Sequence, residues 1–280
     1  MTVANGSMDD LALLRLQIEW GADEALAETP CDRLRPPEPA TRLPTPTVDP
    51  AKPLAAPAAE PAGIAARAAE LAAVARTREE LRAALEQFDG CTLRLTATNL
   101  VFADGNPDAG LMFVGEAPGA EEDRAGLPFV GPSGRFLDRM LASIGLDRTR
   151  FLITNLIPWR PPANRNPTDA EVLLCLPFLH RHIALVRPRH LVLLGSLATK
   201  ALTGSSAGIR RMRGRWIELA IPGLPEPVPT LPMFHPAYLL RTPGAKRDAW
   251  ADLLALRRRL DAEGSREGES FLPLKPLNLR

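Results

Sequence analysis

The sequence predicts an α/β fold of three layers, α/β/α, around a four-stranded, mainly parallel central sheet. After residue 91, short apolar runs alternate with longer segments of helical periodicity. This alternation is typical of parallel strands covered by helices on both faces. The chain has 280 residues, 45% of them hydrophobic, which is enough for one such core. It contains no run of about 18 apolar residues, so no membrane span is expected.

The elements follow from local signals. Strands are predicted at 111–114, 151–154, 191–194 and 229–233, where short apolar runs end at polar or small residues. Ser133 is expected to cap a helix that runs to about residue 144, and Thr168 to cap Asp169–Val186 with Glu171 as the second half of a capping box. Further helices are predicted at 197–202 and 246–260. Ligands of such sheets bind beyond the carboxyl ends of the strands, which points to the residues just after each strand.

The composition divides the chain into five parts. Residues 1–29 are predicted to be a helical appendage, and 30–62 a Pro/Ala-rich linker, because ten of the 29 prolines fall between 30 and 61. Residues 63–90 read as one helix leading into the core, 91–262 as the domain that carries the site, and 263–280 as a tail. The N-terminus is acidic and lacks a basic region, so no secretory signal is expected.

The charge is divided in the same way. Residues 1–90 hold 9 basic and 15 acidic residues, a net of −6, whereas residues 91–280 have a net of +7. Such asymmetry indicates an anionic partner for the second part. The densest basic run is 210–215, which is either a solvated loop or a phosphate contact. Three cysteines in 280 residues argue against a disulfide scaffold and favour the reducing cytoplasm.

The first strand is followed by the loop 115–119, GEAPG, and then by three acids at 121–123. The glycines are four apart and a proline precedes the second, so this is not a dinucleotide-binding fingerprint. The loop offers backbone N–H groups and the carboxylate of Glu116 to a neutral or cationic centre. The acids at 121–123 are read equally well as the start of a helix, where the dipole favours negative charge.

Three more side chains are candidates for the same site, two of them at predicted strand ends. Phe129 lies in a loop rich in glycine and proline, Asn155 follows the second strand, and His235 follows the fourth. An aromatic ring stacks on flat groups, and an amide offers a paired donor and acceptor to the edge of a base. No nucleophilic serine or cysteine constellation accompanies them. This set fits a nucleobase that has been taken out of a DNA stack.

These motifs together resemble the uracil-DNA glycosylase superfamily, and specifically its family 4. The resemblance covers about residues 91 to 260. It rests on four ordered segments: 115–123 (GEAPGAEED), 129–131 (FVG), 154–165 (TN followed by RPP and NR) and 235–238 (HPAY).

The resemblance implies a role for each motif. Glu116, Asn155 and His235 are expected to be catalytic: Asn155 reads the base, His235 donates a hydrogen bond to uracil O2, and Glu116 orients water or stabilises positive charge on the sugar. Base binding is expected from Gly115, Ala117, Phe129 and Asn155. DNA contacts are expected from Pro132, Ser133, Arg165, Arg211, Arg213, Tyr238 and Leu239. Tyr238, Leu239 or Leu240 is expected to enter the gap left by the flipped base.

The sequence departs from the family at its metal site. Family 4 members usually hold a [4Fe–4S] cluster with four cysteines, of which only Cys91 and Cys175 are present. Arg94 and Trp159 stand at the other two positions. Two thiolates do not satisfy four cluster positions, so no cofactor is expected. The loop 163–167 contains no histidine, so the covalent trapping of uracil seen in a further relative is not expected either.

The sequence favours an enzyme that releases uracil from DNA and leaves an abasic site. The alternatives are a weakly catalytic module that binds damaged or single-stranded DNA, and a glycosylase that accepts other deaminated bases. A nucleotide-binding enzyme is disfavoured because the phosphate loop is missing. The expected partners are uracil-containing DNA and, through the N-terminal appendage, a replication or repair protein. We expect a cytoplasmic monomer with no membrane partner.

Overall fold

The computed structural model of this protein describes residues 61–267, which form a mixed sheet with helices on both faces. The strands are β1 Ala103–Gly105, β2 Leu111–Gly115, β3 Leu152–Asn155, β4 His190–Leu194, β5 Ile217–Leu219 and β6 Val228–Met233. Their order across the sheet is β1-β3-β2-β4-β6-β5. The four central strands run parallel, and the two edge strands pair antiparallel with their neighbours.

The predicted α/β fold is confirmed, and its four strands are the parallel centre of the sheet. The predicted strand number is too low because β1 and β5 were missed. Each has only three residues, and β1 reads Ala-Asp-Gly, so neither shows the alternation or apolar run that marks a strand. Both form edges, where tertiary pairing overrides a weak local preference.

The helices lie between and after the strands. They are α1 Pro61–Val74, α2 Arg78–Gln87, α3 Leu93–Thr96, α4 Ala120–Ala125, α5 Pro132–Ala142, α6 Asp169–Val186, α7 Ser196–Thr203, α8 Ile209–Met212, α9 Pro236–Arg241 and α10 Lys246–Glu267. Short 3₁₀ turns occupy Pro107–Ala109, Pro162–Asn164 and Pro243–Ala245.

Two predicted helix boundaries are wrong. The single helix expected over 63–90 is two helices, because Thr77 interrupts it in an extended conformation and its hydroxyl accepts from the Glu80 N–H at 3.1 Å. The helix α5 is capped by Gly131 and not by Ser133, since Pro132 takes the first helical position that its fixed φ favours. At Thr168 the predicted capping box with Glu171 is confirmed.

The core lies on both faces of the sheet, because side chains alternate along each strand. On β2, Met112 and Val114 join the cluster that includes Phe178 of α6. Leu111 and Phe113 face the opposite way and join a cluster under α5 and α10. Every residue of β2, β3 and β4 is buried, as a covered parallel sheet requires. The carboxyl ends of these strands therefore form a rigid platform.

Within residues 61–267, none of the helices combines the length and apolarity needed to span a bilayer. The predicted N-terminal helix and nearly all of the proline-rich linker lie outside the described residues, except that α1 already begins at Pro61. At the other end, α10 continues to Glu267, past the predicted end of that helix and of the domain.

Candidate active site

A cavity of about 520 Å³ opens at the carboxyl ends of the parallel strands, where the sequence predicts the site. It lies between the loops that follow β2, β3, β4 and β6. The predicted site residues that line it are Glu116, Ala117, Phe129, Ser133, Asn155, Arg165, His235 and Tyr238.

The Phe129 ring forms part of the cavity wall although its side chain is almost fully buried. Its centroid lies 5.7 Å from that of the His235 ring, with 31° between the planes. A Cβ on Gly115 would lie 2.4 Å from both the Phe129 ring and Asn155 Oδ1, so only glycine permits this close approach. Gly115 therefore allows an aromatic face and an amide edge to meet in one site.

Asn155 brings an unsatisfied side-chain oxygen to this site. The residue ends β3 and is 5% exposed, and its Oδ1 has no hydrogen-bond partner among the described groups. A buried polar atom without a partner is costly, and most such atoms in proteins are paired. The Asn155 side chain is therefore prepared for a ligand that donates a hydrogen bond.

His235 follows β6 and caps α9. Its Nδ1 accepts from the Ala237 N–H at 3.1 Å, which leaves the proton of the neutral ring on Nε2. Burial, together with the positive charge of Arg241, lowers the pKa of His235 to about 4. The ring is therefore neutral near pH 7 and offers one N–H donor, which is the form suited to a developing oxyanion.

Glu116 is held between the end of β2 and the start of α7. Its Oε1 accepts from the Leu197 N–H at 2.8 Å. Burial raises the pKa of Glu116, while the N–H groups of Leu197 and Ser196 and the charge of Arg241 act against this rise. A Cβ on Gly195 would lie 2.4 Å from Glu116 Oε1, so the carboxylate also depends on a glycine.

Glu122 was not singled out from the sequence, where it reads as one of three acids at a helix start. Its Oε1 accepts from the Gly131 N–H at 2.7 Å, and its Oε2 from the Gly119 N–H at 3.1 Å. The buried carboxylate therefore joins the loop after β2 to the loop that carries Phe129. Arg241, also missed, lies at the cavity edge, and its charge acts on both Glu116 and His235.

The predicted DNA contacts divide into exposed and internal side chains. Pro132 and Arg211 are exposed beside the cavity loops, and Arg210 donates to the Tyr238 hydroxyl at 2.7 Å. Arg165 donates to both carboxylate oxygens of Glu171, at 2.6 and 2.9 Å.

Two of the residues predicted to contact DNA have side chains that contact other parts of the protein instead. Arg213 pairs with the buried carboxylate of Asp252 at 2.5 Å. Leu239 is fully buried, whereas its neighbour Leu240 is 43% exposed. The helical turn places residue 239 inward and 240 outward, which the sequence alone did not resolve.

Comparisons with known proteins agree with this geometry. A family model described as the uracil DNA glycosylase superfamily matches residues 102–254. This chain belongs to that superfamily. It is 37% identical over 179 residues to the type-4 uracil-DNA glycosylase of Pyrobaculum aerophilum, covering 62% of this chain and 90% of that protein. The type-4 uracil-DNA glycosylase of Thermotoga maritima is 39% identical, over 59% of this chain and 86% of that protein. The type-4 uracil-DNA glycosylase of Archaeoglobus fulgidus is 40% identical, over 58% of this chain and 82% of that protein.

The cluster that the family resemblance implies does not fit the residues of this uracil-DNA glycosylase superfamily member. Cys91 and Cys175 are both buried free thiols in the same apolar cluster, which Trp159 also joins at 3% exposure. The hydrogen bond that the Cys175 thiol donates to Cys91, together with burial, raises the pKa of Cys175 well above its usual value. Among residues 61–267, no group of three or more metal-ligating side chains gathers. Two sulfur donors beside an indole do not supply the four ligands of a [4Fe–4S] cluster.

Proposed function

We propose that this protein is a uracil-DNA glycosylase of DNA repair, which hydrolyses the bond between uracil and deoxyribose and leaves an abasic site. The observation that carries the proposal is the buried, unpartnered Oδ1 of Asn155, which shares one cavity with the Phe129 ring and a neutral His235. A flat base with a hydrogen-bonding edge satisfies all three groups at once. The type-4 relatives support the same activity.

Base selection depends on Asn155. The uracil nucleotide is rotated out of the helix into the cavity, where its ring stacks against Phe129. Uracil N3–H then donates to Asn155 Oδ1, and the amide N–H₂ donates to uracil O4. Cytosine carries an acceptor at N3 and an amino group at position 4, so both contacts would be lost and buried polar atoms left unpaired.

Bond cleavage depends on His235. As the bond between C1′ and N1 breaks, its electron pair moves onto uracil and negative charge grows on O2. The neutral His235 ring donates its Nε2–H to this oxygen and stabilises the growing charge. Water adds its hydroxyl to C1′, and its proton ends on the departing base. Glu116 either orients this water or stabilises the positive charge on the sugar.

Residues around the mouth of the cavity bind the phosphates of the DNA backbone. Ser133 and Pro132 begin α5, and Arg211 is an exposed cation on α8. Tyr238 lines the cavity and Leu240 is exposed on the same helix, so these side chains are placed to fill the gap left by the flipped base.

The test is an oligonucleotide with a single uracil, compared with matched oligonucleotides that carry cytosine or thymine. Alkaline treatment after incubation cleaves the strand only where an abasic site has formed. We expect cleavage at uracil alone under multiple turnover. Binding without cleavage at stoichiometric protein would instead support the weakly catalytic module, and cleavage at hypoxanthine or xanthine the broader specificity.

We further propose that the protein works without a cofactor and as a cytoplasmic monomer. The lack of a cofactor is supported by the two sulfur ligands, Cys91 and Cys175, which are too few for a cluster. A cytoplasmic location is supported because both cysteines are free thiols. Residues 1–29 and 30–62 are expected to be an appendage and a tether to a replication or repair protein, 63–90 the helical lead-in and 91–262 the catalytic domain. Of the tail predicted at 263–280, residues 263–267 are the last residues of α10. Gel filtration and pull-down with the first 60 residues deleted test this division.

A further inference from the structure

The loop that presents the Phe129 ring is strained. Phe129 has φ of 57°, in the left-handed region that few residues other than glycine adopt. A conformation of this kind persists only where the surrounding structure determines it. The contacts of the Phe129 main chain therefore decide whether the ring stays at the cavity wall.

Those contacts come from an arginine beyond the end of α5 that does not line the cavity. Arg148 Nη2 donates to the Phe129 carbonyl at 2.7 Å, and Nη1 lies 3.4 Å from the Pro128 carbonyl. On the opposite side, a Cβ on Gly134 would lie 1.8 Å from the Phe129 oxygen. The carbonyl is thus held between a charged donor and a glycine that leaves it room.

The Arg148 guanidinium is itself fixed from two elements. Its Nε and Nη2 donate to the two carboxylate oxygens of Asp138 on α5, at 2.8 and 3.2 Å. Its Nη1 donates to Asp104 of β1 at 3.0 Å, and the group lies 5.8 Å from the centre of the Phe151 ring. A planar donor held by two carboxylates keeps a defined direction, which a flexible ammonium would not.

We propose that Arg148 is a positioning residue for base excision: it locks the Phe129 main chain in the left-handed conformation that aims the ring at the flipped base. This inference rests on the proposed function for its kinetic consequence, but not for its structural one. Arg148 touches no substrate, so its whole effect passes through Phe129. Glu122, which accepts from the Gly131 N–H, holds the other end of the same loop.

The kinetic test compares R148A with R257A. Arg257 is a matched control, since it also donates to a main-chain carbonyl, that of Ile144 at 2.7 Å, and to a carboxylate, that of Asp261 at 2.8 Å, but it lies on α10 away from the cavity. Both variants are expected to unfold at a lower temperature. At a temperature where both are folded, R148A should lose about 10²-fold in kcat/KM while R257A keeps wild-type kcat/KM. Equal kcat/KM in the two variants would overturn the proposal.

A double-mutant cycle separates positioning from general stability. If Arg148 acts only through Phe129, adding R148A to F129A should change kcat/KM by less than about 3-fold. A further 10²-fold loss in the F129A background would contradict the proposal. R148K, which keeps the charge but not the planar fork, should lie between R148A and the wild type; it also replaces R148A in the cycle if that variant does not fold.

Crystal structures of R148A, or of R148K in its place, and of R257A give a readout that needs no activity. The proposal expects Phe129 to leave the left-handed region, or its ring to move away from His235, only when Arg148 is changed. An unmoved Phe129 would overturn the proposal even if the wild type releases uracil. A moved Phe129 in a protein that releases no uracil would support the positioning role and refute the proposed function alone.

Discussion

At the residue scale, the helix cap formed by His235 and its proposed catalytic role can be separated by a single substitution. The Nδ1 of His235 caps α9 and the residue lines the cavity, where Nε2–H is the remaining donor of the neutral ring. Asparagine reproduces an acceptor at the Nδ1 position but has no atom at Nε2. We expect H235N to keep the thermal stability of the wild type and to lose roughly 10²–10³-fold in kcat, the usual cost of removing an oxyanion donor. H235N with wild-type kcat would remove His235 from the mechanism.

The pH dependence of kcat/KM tests the protonation state of His235. Its pKa is lowered to about 4, so the ring stays neutral as the pH falls through about 6.5, where an ordinary histidine gains its proton. We expect no loss of activity from His235 between about pH 8 and about pH 5.5. An acidic limb near 6.5 in the wild type that disappears in H235N would show that the ring is not held neutral.

Asn155 is the residue that should set base choice. In N155D the donor to uracil O4 is lost and replaced by an acceptor, which suits the amino group of cytosine. Release of uracil should fall sharply, and the ratio of uracil to cytosine release should fall with it. The two release rates come from parallel assays on oligonucleotides that differ in one base. A variant with lower activity but unchanged discrimination would contradict the base-reading role.

At the element scale, α9 presents two adjacent leucines to different surroundings. Leu239 is fully buried and Leu240 is 43% exposed. L240A should reduce uracil release from double-stranded DNA more than from single-stranded DNA, because only the duplex loses a stacked and paired base on flipping. L239A should instead lower the free energy of unfolding by about 2–5 kcal/mol. Equal losses on both DNA substrates in L240A would exclude a wedge.

The start of α6 provides a second prediction at this scale. Arg165 lowers the pKa of Glu171 from its usual 4.5 to about 2. The interaction therefore contributes stability that is fully present above about pH 4.5 and is lost as the pH falls from there to about 2. The difference in free energy of unfolding between the wild type and E171Q should therefore shrink between about pH 6 and about pH 3. Urea titrations at several pH values measure it. A difference that stays constant with pH would show that the ion pair contributes nothing.

The elements also show how far the sequence could lead. The parallel strands and the residues at their ends followed from apolar runs and motifs, since those signals are local. The edge strands, the break at Thr77 and the inward side of α9 depend on pairing and packing that no local pattern encodes. The contacts of Glu122 and Arg148 with the Phe129 loop are of the same kind, because each joins residues about 9 to 20 positions apart through a single carboxylate or guanidinium.

At the scale of the whole molecule, the net charge of +1 hides an acidic N-terminal part and a basic part that carries the site. The two remaining family cysteines pack with Trp159 in an apolar cluster. We propose that this packing takes the place of a metal centre between the chain near residue 91 and α6. We expect purified protein to contain no stoichiometric iron. Elemental analysis together with absorbance at about 400 nm measures the iron content. A brown protein with about four irons per chain would prove the expectation wrong.

One cavity is proposed to bind an extruded uracil and to cut its glycosidic bond. The most direct measurement is a single-turnover reaction of the full chain with uracil-containing DNA, in which free uracil and the abasic strand are both quantified. We expect one uracil per abasic site, with release slowed in H235N and N155D. Bound DNA with no free uracil, at protein in excess over DNA, would contradict it.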